Sequence, residues 1–353
     1  MRKGKRLIAW IMAVVMLFTI CVFGGNGTAE AAATTPVAKH GRLSVKGADL
    51  VDSKGNKFQL RGISTHGINW DVGSPYVNKK AFKTLRDDWG VNAIRLAMYT
   101  EEYNGYCSGG SQAKLRKQVD KGVGYATDLG MYAIIDWHIL SDGNPNKNKA
   151  QAKKFFTTMA KKYKNNKNVI YEICNEPNGC GWKEIKSYAT DIIKTIRKYD
   201  KKAVIIVGTP TWSQLGTDGT SNEVADSPIK GYKNIMYSLH FYASEWAHNE
   251  YLPAKVAYAR KKKLPIIVSE FGLSPASGDG AINKASADKW MKLLNKYNIS
   301  YFCWSLSNKN ESASLLKPST KKTSGWKSGD LSTAGKYIKK KYLARKKALG
   351  KKA

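Results

Sequence analysis

The stretch VIYEICNEP, residues 169–177, begins as a β-branched apolar run and closes on a carboxylate, Glu176. A short run of that composition reads as a buried strand. It is one of eight. The others end near Thr65, Thr100, His138, Gly208, Tyr242, Phe271 and Leu306, so that successive ends lie 29 to 38 residues apart. Each interval is long enough for a strand, a helix and their loops. Between the runs the apolar period changes to three or four; Ile185, Tyr188, Ile192 and Ile196 mark one buried face in residues 182–199. Eight βα units in roughly 290 residues predict an α/β fold, a single-domain (β/α)8 TIM barrel. An open doubly wound sheet is the alternative, but no Gly-rich phosphate loop follows the first strand.

A barrel of this kind gathers its chemistry at the carboxyl ends of its strands. At or near those ends stand His66, Arg95, His138, Asn175, Glu176, His240, Tyr242, Glu270 and Trp304. Glu270 closes PIIVSEFG, residues 265–272, much as Glu176 closes its own run. A carboxylate ending a buried strand costs folding free energy unless it is paired or used. Two such groups suggest the pair that cleaves glycosidic bonds; a buried ion pair with an inward Arg or Lys is the plainer reading of each. Glu172, four residues before Glu176, faces the same side about 13 Å deeper at the usual strand rise. It is expected to pair with Arg61 inside the barrel.

The first residues stand apart. Arg2, Lys3, Lys5 and Arg6 precede an uncharged apolar run over residues 7–23, and Ala29-Glu30-Ala31 fits a cleavage site. Residues 1–31 therefore read as a secretory signal peptide, leaving an exported chain with no membrane partner once it is removed. Residues 32–40 form a polar lead-in, 41–343 the catalytic domain and 344–353 a Lys-rich tail. The chain carries 59 Lys and Arg against 27 Asp and Glu, a net charge of +32. Charge of that size invites a nucleic-acid reading. The lysines are scattered as solvated helix faces, however, and cluster only over residues 336–353, so no nucleic-acid partner is expected. Of the five cysteines, Cys21 leaves with the signal, Cys174 and Cys303 lie in apolar runs, and Cys107 and Cys180 lie in loops where a bridge between them stays open. No CxxC or His-rich spacing supports a zinc site, so neither metal nor cofactor is expected.

The segments NVIYEICNEPNG, IIVSEFG, DWHILSDGNPN, NIMYSLHFY and FCWSLSNKNES resemble bacterial secreted endo-β-1,4-glucanases (cellulases) of glycoside hydrolase family 5. The likeness spans residues 41–343. Asn-Glu-Pro alone is shared by a wider clan of retaining glycosidases, whereas its combination with DWHIL and SNKNES is more specific. The resemblance implies Glu176 as general acid/base and Glu270 as nucleophile, with Arg95, His138, Asn175, His240 and Tyr242 in support. It further implies His66, Trp70, Tyr99, Trp212, Trp304, Lys309 and Glu311 as contacts to a β-1,4-glucan chain, in a monomeric enzyme. Sugar rings present apolar C–H faces, which is why tryptophan and tyrosine recur in such a set. Two departures stand out: Phe271 follows the nucleophile where Trp is frequent, and Cys174 replaces a common Ala. Loop 101–111 aligns poorly, leaving the wall beside Tyr99 undefined. A mannanase or xyloglucanase of the same family, and a non-catalytic carbohydrate-binding barrel, are the alternatives.

Overall fold

A computed structural model describes residues 35–350. The expected signal peptide lies outside the described residues. Eight parallel strands close into a barrel: β1 (Arg61–Thr65), β2 (Ala93–Tyr99), β3 (Tyr132–His138), β4 (Val169–Glu172), β5 (Ile205–Val207), β6 (Ile235–Tyr242), β7 (Ile266–Gly272) and β8 (Tyr301–Leu306). They lie in sequence order, with β8 pairing back onto β1. Helices alternate with them, and each follows from local sequence. In Lys79–Trp89, for example, Asn78 accepts from the backbone N–H of Ala81 at the start, and left-handed Gly90 ends the last turn.

Strand side chains alternate between two environments. Ile94, Leu96, Met98, Ala133, Ile135, Trp137, Leu239 and Phe241 join the apolar shell under the helices. The intervening Ala93, Tyr132, Ile134, Ile170, Ile206, Met236, Ile267 and Phe302 fill the lower lumen. Leu43, Leu50 and Phe58 join this inner cluster from the antiparallel hairpin Ser44–Lys46/Asp49–Val51 and its return. Further up, the inward positions turn polar: Arg95, Asp136, His138, Glu172, Ser238 and His240 are all buried. The barrel is thus packed apolar below and lined with ionisable groups toward its mouth.

One irregularity matters. Ser238 pairs with Ile267 but His240 pairs with Glu270, so β7 carries one extra residue there. Strict alternation would send Ser269 inward and Glu270 outward. The bulge turns Glu270 into the lumen as well, the re-aiming that bulges commonly provide.

Two expectations need correction and one gains detail. Glu176 does not end β4, whose ladder stops at Glu172; it lies on the following segment, tied to the barrel by the Asn175 N–H bonding the Trp137 carbonyl at 3.2 Å. The lead-in is partly helical: Pro36–His40 is capped by Thr35 and bonds the Gly130 carbonyl through the Val37 N–H. The final helix runs unbroken over Thr333–Gly350, so residue 343 marks no boundary. Tyr342 is buried with its hydroxyl on the Gly62 carbonyl at 2.8 Å, and Arg345 Nε donates to Gln59 at 2.8 Å. Among the described residues, no helix is long and apolar enough to cross a membrane.

Candidate active site

Arg95 organises the upper lumen. It is fully buried, and its guanidinium donates to Glu172 Oε2 at 2.7 Å, Glu270 Oε2 at 2.9 Å and Asn175 Oδ1 at 2.5 Å. Asp136 Oδ2 lies 3.0 Å from the same group. Glu172 therefore pairs with Arg95, not Arg61. Arg61 belongs to the opposite parity of β1 from Ser64, and its Nε turns to the Gly90 carbonyl at 3.3 Å while Ser64 approaches Arg95. One cation facing three carboxylates cannot hold all of them ionised at low cost. Burial pushes Asp136 up to about 7 despite Arg95, and pushes Glu172 upward too. Each has one oxygen without a partner, Asp136 Oδ1 and Glu172 Oε1.

Glu270 is anchored from two sides: Arg95 donates to one oxygen, and the Tyr242 hydroxyl donates to the other at 2.8 Å. The Tyr242 ring packs close against Gly272, where a Cβ would come within 2.5 Å of it. Burial, with Glu270 and Glu176 nearby, raises the Tyr242 hydroxyl well above its ordinary value, keeping it a donor. Glu176 accepts fewer constraints. Its Oε1 meets His240 Nδ1 at 2.8 Å, and 12 % of its side chain remains exposed at the mouth. Burial raises its carboxyl to about 8, helped by Asp136 and Glu172 and opposed by Arg95. Burial also lowers His240 to about 4, so the imidazole is neutral near pH 7. Its Nε2 reaches Ser269 Oγ at 2.9 Å, and Ser269 in turn hydrogen-bonds Ser238.

Ligand atoms of Glu176, His240 and Glu270 all lie within 4.8 Å of one another. A cation could bridge such a spacing, but the Arg95 guanidinium already supplies the positive charge beside Glu270. The two carboxylates thus face one another across a gap the width of a sugar's reacting centre.

On the β8–β1–β2 side of the mouth the predicted aromatic residues come together. Trp304 stacks on His138 (5.2 Å between centroids, 15° between planes) and sits 5.0 Å from His66. Trp70 stacks on Tyr99 at 4.7 Å. The ill-aligned loop 101–111 resolves into a support for this wall: Trp70 Nε1 donates to the Tyr103 carbonyl at 2.7 Å. Glu311 lies 3.7 Å from His66 and pairs with Lys309 at 2.5 Å, while burial raises its carboxyl. Burial lowers His66 and His138 to about 3, so both are neutral above that value.

Trp212 is the exception among these contacts. It stands after β5, across the barrel, and is 43 % exposed. Thr211, Trp212 and Ser213 have φ of 57°, 52° and 62°, a left-handed run that costs non-glycine residues roughly 1–2 kcal/mol each. The Trp212 N–H on the Pro177 carbonyl (3.0 Å) and Ser213 Oγ on the Asn175 carbonyl (2.7 Å) hold it against the Glu176 segment. Asp136 and Ser269 were missed from sequence. Asp136 was legible from parity, two residues before His138 on one strand; Ser269 was hidden by the bulge. Cys174 and Phe271 face the outer shell, where Phe271 stacks on Phe241 at 5.2 Å. Neither touches the reacting groups. Cys107, Cys174, Cys180 and Cys303 are free thiols.

Comparison with known proteins finds relatives along most of the chain. Residues 51–310 match the profile of Cellulase (glycosyl hydrolase family 5). An endoglucanase of Clostridium saccharobutylicum is 47 % identical over 339 residues, covering 95 % of this chain and 72 % of that protein. Endoglucanase 5 of Pectobacterium carotovorum is 45 % identical, covering 92 % of this chain and 62 % of its own length. The catalytic domain of a Thermobifida fusca endoglucanase, solved with cellotetraose, superposes with a TM-score of 0.82 at 36 % identity, covering 88 % of this chain and 99 % of that one. A closed parallel barrel carrying two facing glutamates, matched over most of its length to such relatives, belongs to glycosyl hydrolase family 5, the cellulases.

Proposed function

We propose that the chain is a secreted, retaining endoglucanase that hydrolyses internal β-1,4-glucosidic bonds of cellulose and related β-glucans. The observation that carries this reading is the Glu176–Glu270 pair, with ligand atoms inside 4.8 Å and opposite hydrogen-bonding environments. Retaining enzymes hold their two carboxyl groups about 5–5.5 Å apart; inverting ones need room for a water between them.

Glu176, raised to about 8, carries the proton that the leaving glycosidic oxygen requires. Glu270, oriented by Arg95 and Tyr242, attacks the anomeric carbon and forms a glycosyl ester as the C–O bond to the leaving sugar breaks. Glu176 then takes a proton from water, which adds to the anomeric carbon and releases Glu270. His240 keeps one tautomer through both states. Neutral His240 donates from Nδ1 to Glu176 Oε1, which leaves the acid proton on the other carboxyl oxygen, free to reach the leaving group, and the same bond stabilises the charge once Glu176 is ionised. Its Nε2 accepts from Ser269, whose hydroxyl accepts in turn from Ser238. Asn175 holds its place with Oδ1 on Arg95 and its amide N–H on the Ile139 carbonyl at 3.1 Å. Trp304 serves as a platform under the sugar being cleaved, and His66, Trp70, Tyr99, Lys309 and Glu311 bind the units beyond it. The T. fusca relative solved with cellotetraose supports a glucan ligand for this cleft.

Reducing-sugar release from carboxymethylcellulose, lichenan and galactomannan tests the specificity. Hydrolysis of the two glucans and not of galactomannan supports the reading; preference for galactomannan overturns it.

A further inference from the structure

Of the large apolar side chains left exposed, two form a pair with no part in the site described above. Trp246 is 68 % exposed and Tyr251 38 %, with ring centroids 5.9 Å apart and planes at 81°. Both lie in the first turns of helix Trp246–Lys261, which follows β6 directly. In a (β/α)8 barrel the start of such a helix lies on the catalytic rim. Trp246 is four residues beyond Tyr242, the donor to Glu270.

The pair is held by the frame around it. His248 Nδ1 accepts the Tyr242 N–H at 2.9 Å, fixing the helix start to the end of β6. Glu245 accepts the Ala276 N–H at 2.7 Å from the loop after β7. On the other side the Tyr251 ring covers Gly219, where a Cβ would meet it at 2.8 Å. That loop is braced by Asp218, which accepts the N–H groups of Thr220 and Ser221, and by Lys255, which donates to the Gln214 carbonyl at 3.1 Å. The loop continues the segment carrying Trp212.

Strand order then arranges the rim. The aromatic wall of His66, Trp70, Tyr99 and Trp304 belongs to β8, β1 and β2, whereas Trp212, Trp246 and Tyr251 follow β5 and β6 on the opposite side. Glu176 after β4 and Glu270 on β7 lie between. A chain crossing the mouth over both carboxylates leaves the first wall and runs out toward the second.

We infer that Trp246 and Tyr251 form a distal platform for glucose units of the bound β-glucan chain beyond Trp212, on the side away from the Trp304 wall. This rests on the endoglucanase reading. Two perpendicular rings, one largely open to solvent, give a floor and an edge to a pyranose whose faces are apolar C–H surfaces. The occupant is uncharged and continuous with the chain in the cleft, so it needs no charged partner.

The test compares wild type with the Trp246→Ala/Tyr251→Ala double variant and with Trp246→Phe. The substrates are polymeric mixed-linkage β-glucan and an aryl cellobioside, whose aryl group is too short to extend past Trp212. The expected result is a fall of at least threefold in the polymer-to-aryl ratio of kcat/KM for the double variant, carried by KM, with much of it restored in Trp246→Phe. Equal losses on both substrates, or no change in the ratio, overturn the proposal. Wild-type failure to cleave either substrate would instead sink the endoglucanase reading.

Discussion

Replacing Arg95 with methionine removes the guanidinium that faces Asp136, Glu172 and Glu270 while keeping a flexible side chain to fill most of its volume. Breaking a buried ion pair from one side costs about 3–5 kcal/mol, because the partner charge is left uncompensated. Three partners are left here, so the upper end of that range is expected at pH 8. The loss depends on pH. In the wild type Asp136 is raised from 3.8 to about 7, so the folded state holds a proton there that the unfolded state releases. Its contribution is complete below the unfolded value and is lost as pH rises through 7. Without Arg95, Asp136 and Glu172 hold their protons more tightly still. At pH 5 Asp136 is neutral in the folded variant, and the remaining penalty shrinks toward that of unsatisfied hydrogen bonds, about 1–3 kcal/mol. Urea unfolding of both proteins at pH 5 and pH 8 measures this directly. A destabilisation that is equal at the two pH values, or below about 1 kcal/mol at pH 8, would refute the charge account. Activity should fall as well, by about a hundredfold or more, since Glu270 loses one of its two anchors.

Other consequences are simpler. Because Glu176 must be protonated to act as acid and sits near 8, kcat/KM on β-glucan should decline as pH rises through that value; a profile flat to pH 10 would exclude Glu176 as the acid. Glu176→Gln should lose about 10²–10⁴-fold on β-glucan, less on an aryl glycoside with an activated leaving group, and azide should rescue the second step, as azide needs no general base; equal losses on both substrates with no rescue would count against the role. Tyr242→Phe removes one 2.8 Å bond to Glu270 and should cost about 1.5–3 kcal/mol in kcat/KM; thermal unfolding checks that the fold is kept, and a wild-type rate would show that Arg95 alone sets the carboxylate. Despite the +32 charge, hydrolysis of an uncharged glucan should vary little between low and high salt, since the cleft offers that substrate no charge to screen; a steep fall with salt would point to binding through the lysines.

Much of the barrel was readable because its strands are buried on both faces and so appear as near-continuous apolar runs. The polar residues at their ends were readable because nothing in a packed core accounts for them. What escaped the sequence depends on register. Arg61 and Arg95 both sit on strands, but parity turns one to the Gly90 carbonyl and the other into the lumen, and parity between strands is set only by their pairing. The extra residue in β7 leaves no mark in IIVSEFG, yet it decides that both Ser269 and Glu270 point inward. Glu176 reads as a strand end although its strand stops four residues sooner, because Ile173 and Cys174 continue the apolar run after the ladder has ended. Trp246 and Tyr251, spaced along a helix, look like ordinary packing until their exposure is known. A boundary at 343 suggests itself because lysines dominate the later turns of the last helix, while the contacts of Tyr342 and Arg345 with Gly62 and Gln59 are long-range.

In a double displacement Glu176 and Glu270 act in succession on one anomeric carbon. Proton NMR of the first sugars released from a soluble β-glucan, recorded before mutarotation, tests it most directly. New reducing ends in the β configuration are expected; a burst of α-anomer would mean that the two glutamates do not act in succession.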